Sequence, residues 1–162
     1  MNHALHYWVV LSELVESDSV ESIMTARVET VKLKESLNHA LKKLVKRNIG
    51  SIVVVEGEDP VGIVTERDIS RCVVKGAKAL KTQVKNLMSS PLITVARSTN
   101  IQDAITMMLK HGIRRLPVVE QGKLVGFVSE RDLLRWVLRI TYEPHIPPEI
   151  KEILERPPLS KS

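Results

Sequence analysis

Thr65 and Asp68, and again Ser129 and Asp132, place a hydroxyl and a carboxylate three residues apart, straight after an apolar run and straight before a segment with helical spacing. That is how a helix begins: the Thr or Ser side chain caps the first turn, and the acidic residue at the third position helps to satisfy free backbone N–H groups. The same groups also suit a ribose phosphate. Helix-terminal N–H groups point at phosphate, the hydroxyl adds one hydrogen bond, and a carboxylate has room to accept from both ribose hydroxyls. The spacing by itself permits both readings.

Other chemistry is poorly supplied. His3, His6, His39, His111 and His145 form no metal-ligand grouping with carboxylates beyond a weak His3-x-x-His6 pair, and the single cysteine, Cys72, has no evident base partner. The chain has neither a phosphate-binding P-loop nor a glycine-rich dinucleotide fingerprint. We therefore expect no catalytic residues, no metal and no catalytic cofactor. A lone cysteine excludes an intrachain disulfide framework, suits a reducing compartment, and is read as a structural thiol.

The elements that position the two hydroxyl–carboxylate pairs are themselves duplicated. Gly62-Ile63-Val64-Thr65-Glu66-Arg67-Asp68 and Gly126-Phe127-Val128-Ser129-Glu130-Arg131-Asp132 are one motif written twice, 64 residues apart (Gly62 to Gly126), and the register holds without insertion back to Met24 and Met88. In each copy Leu37, Leu41, Leu44 and Val45, or Ile101, Ala104, Ile105, Met108 and Leu109, recur at helical spacing. Apolar runs at 52–55 and 116–119 follow. Each leads through a turn, at 57–60 or 121–123, into a second run at 61–64 or 124–128, the pattern of a hairpin. Ile69, Val73 and Val74, or Leu133, Leu134, Val137 and Leu138, then resume helical spacing, and a brief β segment around Thr30-Val31 or Thr94-Val95 opens each copy. The unit reads β-α-β-β-α. One such unit leaves an apolar face that a second copy can cover.

Composition bounds the rest. With 162 residues and 43% hydrophobic content the chain can build a real core, but at 3% aromatic it offers few rings for stacking on nucleic-acid bases. Lysine and arginine number 24 against 19 acidic residues, a net charge of +5 that attracts anions without choosing among them. The apolar stretch at 7–11 is too short to span a bilayer, and a cytoplasmic location is expected. We divide the chain into an N-terminal amphipathic helix (1–19), a first domain (20–80), a second domain (81–140) and a proline-rich tail (141–162).

The tandem unit, with its Gly-x-x-Thr/Ser-x-x-Asp ending, resembles the cystathionine β-synthase (CBS) domain pair, or Bateman module, over about residues 20–136. His111-Gly112-Ile113-Arg114-Arg115-Leu116-Pro117-Val118-Val119 is also typical of the second domain of such pairs. The resemblance implies an α+β fold, two β-α-β-β-α units packed sheet to sheet about a pseudo-twofold axis. It further implies inter-domain clefts for an adenosyl ligand such as AMP, ADP, ATP or S-adenosylmethionine, a homodimer, and a regulatory role toward a protein yet to be identified. Carried over by position, Asp68 and Asp132 match the ribose-binding aspartates, Thr65 and Ser129 the hydroxyl beside ribose or phosphate, and Thr30 and Thr94 the lining of the base pocket. Arg114 and Arg115 stand where the family often turns a basic residue toward phosphate, and strand alternation lets only one of them face a given cleft. The first copy has Gly50 and Ser51 there. The Asp132 site is accordingly expected to prefer the more phosphorylated ligand, and the Asp68 site a less charged one such as adenosine or S-adenosylmethionine. The alternative is a basic nucleic-acid-associated protein with the pair as a dimerisation core.

Overall fold

Ser36 begins the first long helix by accepting the His39 N–H on its hydroxyl at 3.3 Å, and Asn48 ends it in the left-handed region at φ 51°. This computed structural model describes residues 18–74 and 76–142, so the expected N-terminal helix over 1–17 and the tail beyond 142 lie outside the described residues. The order is β1 (Thr30–Lys32), α1 (Leu37–Arg47), β2 (Ser51–Glu56), β3 (Asp59–Thr65), α2 (Glu66–Val73), α3 (Ile101–His111), β4 (Arg115–Glu120), β5 (Lys123–Ser129) and α4 (Glu130–Tyr142). The fold is α+β, as the repeat implies.

In the first copy β2 is central, parallel to β1 and antiparallel to β3. Being covered on both faces, it is buried from Ser51 through Val55 instead of alternating. In the second copy β1 shrinks to a single parallel bridge, Val95 to Val118. Pro117 accounts for this. Its counterpart Val53 donates its N–H to the Glu29 carbonyl, whereas proline has no N–H, so its carbonyl accepts from Val95 but the ladder cannot extend.

Both hairpins close more tightly than the sequence suggests. Gly57-Glu58 and Gln121-Gly122 are the only loop residues, with positive φ at Gly57 (64°), Gln121 (50°) and Gly122 (80°), the backbone twist a two-residue loop between twisted strands demands. Asp59, Pro60 and Lys123 therefore belong to strands. A register shift beside Val55 takes up Pro60.

The helices bury a narrower stripe than the apolar spacing predicts. Leu37, Ala40 and Leu44 line the core side of α1, and Ile101, Ala104 and Met108 that of α3. Val45 and Leu109 sit one residue, about 100° of rotation, beyond that stripe, and are 72% and 78% exposed. On α2 and α4 the buried residues are Ile69 and Cys72, and Leu133 and Trp136, while Val73, Val74, Leu134 and Val137 are exposed.

The compact units are not the two halves of the sequence. One gathers residues 18–26, 94–119 and 126–142, and the other residues 27–74, 76–93 and 120–125. The segment that opens each repeat packs on the other repeat. In the unit containing Asp132, Val20 N donates to Thr99 O at 2.8 Å, Glu21 N to Arg97 O at 3.1 Å, Ile101 N to Asp18 O at 3.2 Å, and Thr25 pairs with Phe127. In the unit containing Asp68 the same bonds recur 64 residues on, from Val84 N to Glu35 O at 2.9 Å, Lys85 N to Leu33 O at 3.3 Å and Leu37 N to Thr82 O at 2.8 Å, with Ser89 paired to Ile63. Val20 and Val84, both fully buried, anchor these straps. Such burial stabilises by about 1.5–3 kcal/mol for a side chain of this kind.

The exchange explains the glycine at the head of the motif. A Cβ on Gly126 would lie 2.5 Å from the Met24 sulfur, and one on Gly62 would lie 2.6 Å from the Met88 sulfur and 3.0 Å from the Ser89 carbonyl oxygen. The methionine of each incoming strap seats directly on the strand that leads into the hydroxyl–carboxylate pair.

Candidate functional site

Thr65 and Ser129 end β3 and β5, and α2 and α4 start at the next residue. In the first copy Thr65 N and Oγ1 both donate to Asp68 Oδ2, at 2.9 and 2.6 Å, and Asp68 N returns a long bond of 3.4 Å to Thr65 Oγ1, a reciprocal capping box. In the second, Ser129 N and Oγ donate to Asp132 Oδ2 at 2.9 and 2.5 Å. The next N–H in each copy is held by the strand opposite, Glu66 N on Gly50 O at 3.1 Å and Glu130 N on Arg114 O at 3.0 Å. The helix-start reading is therefore correct in detail.

It does not exhaust the carboxylate. All of these bonds fall on Oδ2, and Oδ1 of both aspartates is left without a partner among the described residues. An ionised carboxylate oxygen accepts two hydrogen bonds. Each half-buried aspartate thus fixes its own orientation with one oxygen and presents the other, as recognition of a vicinal diol requires.

The remaining candidates fall into two sets, each within one unit. Thr30 opens β1, half-buried, and its carbonyl accepts the Lys43 ammonium at 2.8 Å. Thr94 precedes the Val95 bridge and is half-buried. Arg114 is exposed and precedes β4, its carbonyl committed to the α4 cap, whereas Arg115 is the first residue of β4 and half-buried. Arg115 occupies the place that Ser51 takes in the first copy, and Ser51 is paired with Thr65 across the hairpin. Cys72 is buried, its thiol 3.6 Å from the Ala79 carbonyl, as expected of a structural residue.

Sequence reasoning missed the residues that hold the motif from the other repeat. Met24 and Met88 matched in the repeat alignment, but that match carries no information about their packing partner. Trp136, one turn beyond Asp132 on α4, donates its indole N–H to Asp18 Oδ2 at 2.7 Å and fastens the strap to the motif helix. Among the described residues no cluster of three or more His, Cys, Asp or Glu could hold a metal ion, and no helix is long and apolar enough to cross a membrane.

A family model described as the CBS domain matches the chain twice, over residues 20–75 and 84–139. The chain belongs to the CBS-domain family. An uncharacterized protein of Methanopyrus kandleri, MK0525, is 33% identical to this CBS protein over 145 residues, 88% of this chain and 71% of that one. Two solved CBS structures superpose with TM-scores of 0.68. One, CBSX2 in complex with AMP, is 30% identical, covering 75% of this chain and 97% of that one. The other, the CBS domain pair of protein MJ0100 in complex with 5′-methylthioadenosine and S-adenosyl-L-methionine, is 26% identical, covering 74% and 95%.

Proposed function

We propose that this CBS pair is a regulatory module that binds an adenosyl ligand at one or both motifs and passes its occupancy to a partner protein. The observation that carries this reading is the division of labour within Asp68 and Asp132, where Oδ2 is consumed by the helix cap and Oδ1 is left to accept from ribose hydroxyls. The adenosyl compounds bound by two structural neighbours support it. CBS pairs generally regulate rather than catalyse, and regulation requires the ligand to favour one geometry of the module over another, since equal affinity shifts nothing. Thr30 and Thr94 serve the base, Thr65 and Ser129 the ribose or phosphate. The Asp132 motif takes the more phosphorylated ligand because Arg115 and Arg114 stand beside it, and Arg115, across from Ser129 by its position, is the one that meets the phosphate.

Calorimetric titration of AMP, ADP, ATP and S-adenosylmethionine tests this reading. Asp132→Ala should weaken the phosphorylated ligand by about 1.5–3 kcal/mol, roughly tenfold to a hundredfold. Because the same substitution removes a helix cap, Asp132→Asn is the sharper probe: it keeps an acceptor at the cap while withdrawing the charge. No heat with any of the four ligands would reduce both motifs to helix starts.

A second copy of the chain is the partner we assign to the exposed apolar helix positions Val45, Val73, Leu109, Leu134 and Val137, which recur in both repeats. Light scattering should give twice the 18.2 kDa chain mass, and Leu109→Lys should lower it; a monomeric wild type would refute the assignment.

A further inference from the structure

The two motifs agree in their backbone frame and in the hydroxyl and carboxylate of each. They part at the residue beside that hydroxyl. Ser51 and Thr65 are direct partners in the β2–β3 ladder, so their side chains stand next to each other on one face of the sheet. Ser51 is 7% exposed, the one buried polar residue among the described residues. Its hydroxyl makes no hydrogen bond within the fold, yet the oxygen is not sealed off, for the only fully enclosed unpaired side-chain atom among those residues is Arg97 Nε.

A buried hydroxyl with no partner is worse for stability than alanine, because its desolvation is uncompensated. Such a serine is accounted for when its partner comes from outside the fold. Here the opening lies beside Thr65 Oγ1, three residues before the free Oδ1 of Asp68. The equivalent position in the second copy bears the Arg115 guanidinium, and the preceding one bears Arg114 where the first copy has Gly50, so the Asp68 motif offers hydrogen bonds where the Asp132 motif offers positive charge.

We propose that Ser51 is a ligand-contacting residue of the Asp68 motif, its hydroxyl selecting an adenosyl compound whose 5′ substituent carries no phosphate, such as a thioether or a sulfonium. This rests on the adenosyl-binding reading above. A doubly charged phosphate next to the Asp68 carboxylate, with a hydroxyl where the second copy has a guanidinium, would be left undercompensated. A neutral or cationic substituent meets no such penalty, and a sulfonium is attracted by the carboxylate.

The test is titration of 5′-methylthioadenosine into the full chain as wild type, Ser51→Ala and Asp68→Ala, with AMP titrated in parallel and thermal unfolding of each free protein recorded. Asp68→Ala identifies the part of the binding heat that belongs to this motif. In Ser51→Ala that part should weaken about three- to tenfold, the loss of one neutral hydrogen bond, while the free protein melts at or above the wild-type temperature. Unchanged 5′-methylthioadenosine binding in Ser51→Ala would overturn the proposal, and so would a clear fall in its melting temperature, which would make the hydroxyl structural. AMP binding without any 5′-methylthioadenosine binding would overturn it while leaving the ligand-sensor reading intact. Failure of both ligands with the wild type would overturn both.

Discussion

The two repeats have almost the same backbone and fasten it differently. Strap bonds recur 64 residues apart, and so do the strap pairings of Thr25 with Phe127 and of Ser89 with Ile63. At the point where the strap meets the motif helix, however, position 72 is a cysteine and position 136 a tryptophan. The Cys72 thiol reaches the Ala79 carbonyl at 3.6 Å, a weak contact, whereas the Trp136 indole donates to the Asp18 carboxylate at 2.7 Å, a charge-assisted bond. Duplication thus preserved the frame, and the differences between the copies lie in a few side chains: those that hold the strap and those that face the ligand.

The fastening is the first place to break the comparison, and the effect should be the largest. Trp136 is 3% exposed, and Trp136→Ala removes a large buried ring while leaving Asp18 unpaired. A loss of about 3–5 kcal/mol is expected from such a truncation. Cys72→Ala at the equivalent position deletes one sulfur and a weak bond, and should destabilise by about 1 kcal/mol. Denaturant unfolding of the two variants checks the ratio. Equal losses would mean that the tryptophan bond holds nothing that the thiol does not.

The ligand-facing difference should have a smaller effect, and on binding. Arg115→Ser gives the second motif the residue of the first, and should weaken AMP by about 1.5–3 kcal/mol, the range for a hydrogen bond to a charged group. Arg114→Ser should do less, since Arg114 is exposed and its backbone, not its side chain, meets α4. Titration of both variants with AMP separates the two arginines. Equal losses would put phosphate recognition on general positive charge.

Much of this was legible in the sequence. The constant register announced two copies of one unit, and the hydroxyl three residues before a carboxylate announced the helix starts that the capping bonds realise. The strap exchange was not legible. In a duplicated sequence Met24 is offered two equivalent glycines, Gly62 and Gly126, and pattern alone has no term that prefers one. The choice belongs to the three-dimensional path of the chain. Nor did helical spacing separate Leu44, which is buried, from Val45, which is not: both are apolar, and the width of the covered stripe depends on what covers it. Ser51 was hidden for the same reason, since burial of a serine is decided by its neighbours across the sheet.

The smallest expected effect concerns the hairpin ends, where the copies carry opposite charges. Glu58, in the first hairpin loop, accepts from the Lys123 ammonium at 2.8 Å, and both side chains are well exposed. The hydrogen bond first, and charge attraction second, hold the Glu58 carboxyl below its ordinary range and the Lys123 ammonium above its own. The lowered carboxyl contributes stability that is present above its unfolded value and disappears as pH falls through the folded one. The raised ammonium contributes below its unfolded value, and that is lost as pH rises through the folded one. Stability from the pair is therefore flat through neutral pH and fades at either extreme. Full solvent exposure screens it, and salt screens it further. Glu58→Gln should leave denaturant unfolding at pH 7 and moderate salt unchanged within error, and should flatten only the acid limb measured at low salt. A clear loss at pH 7 in moderate salt would show that this pair contributes far more to holding the second hairpin's tip, residues 120–125, than an exposed ion pair can.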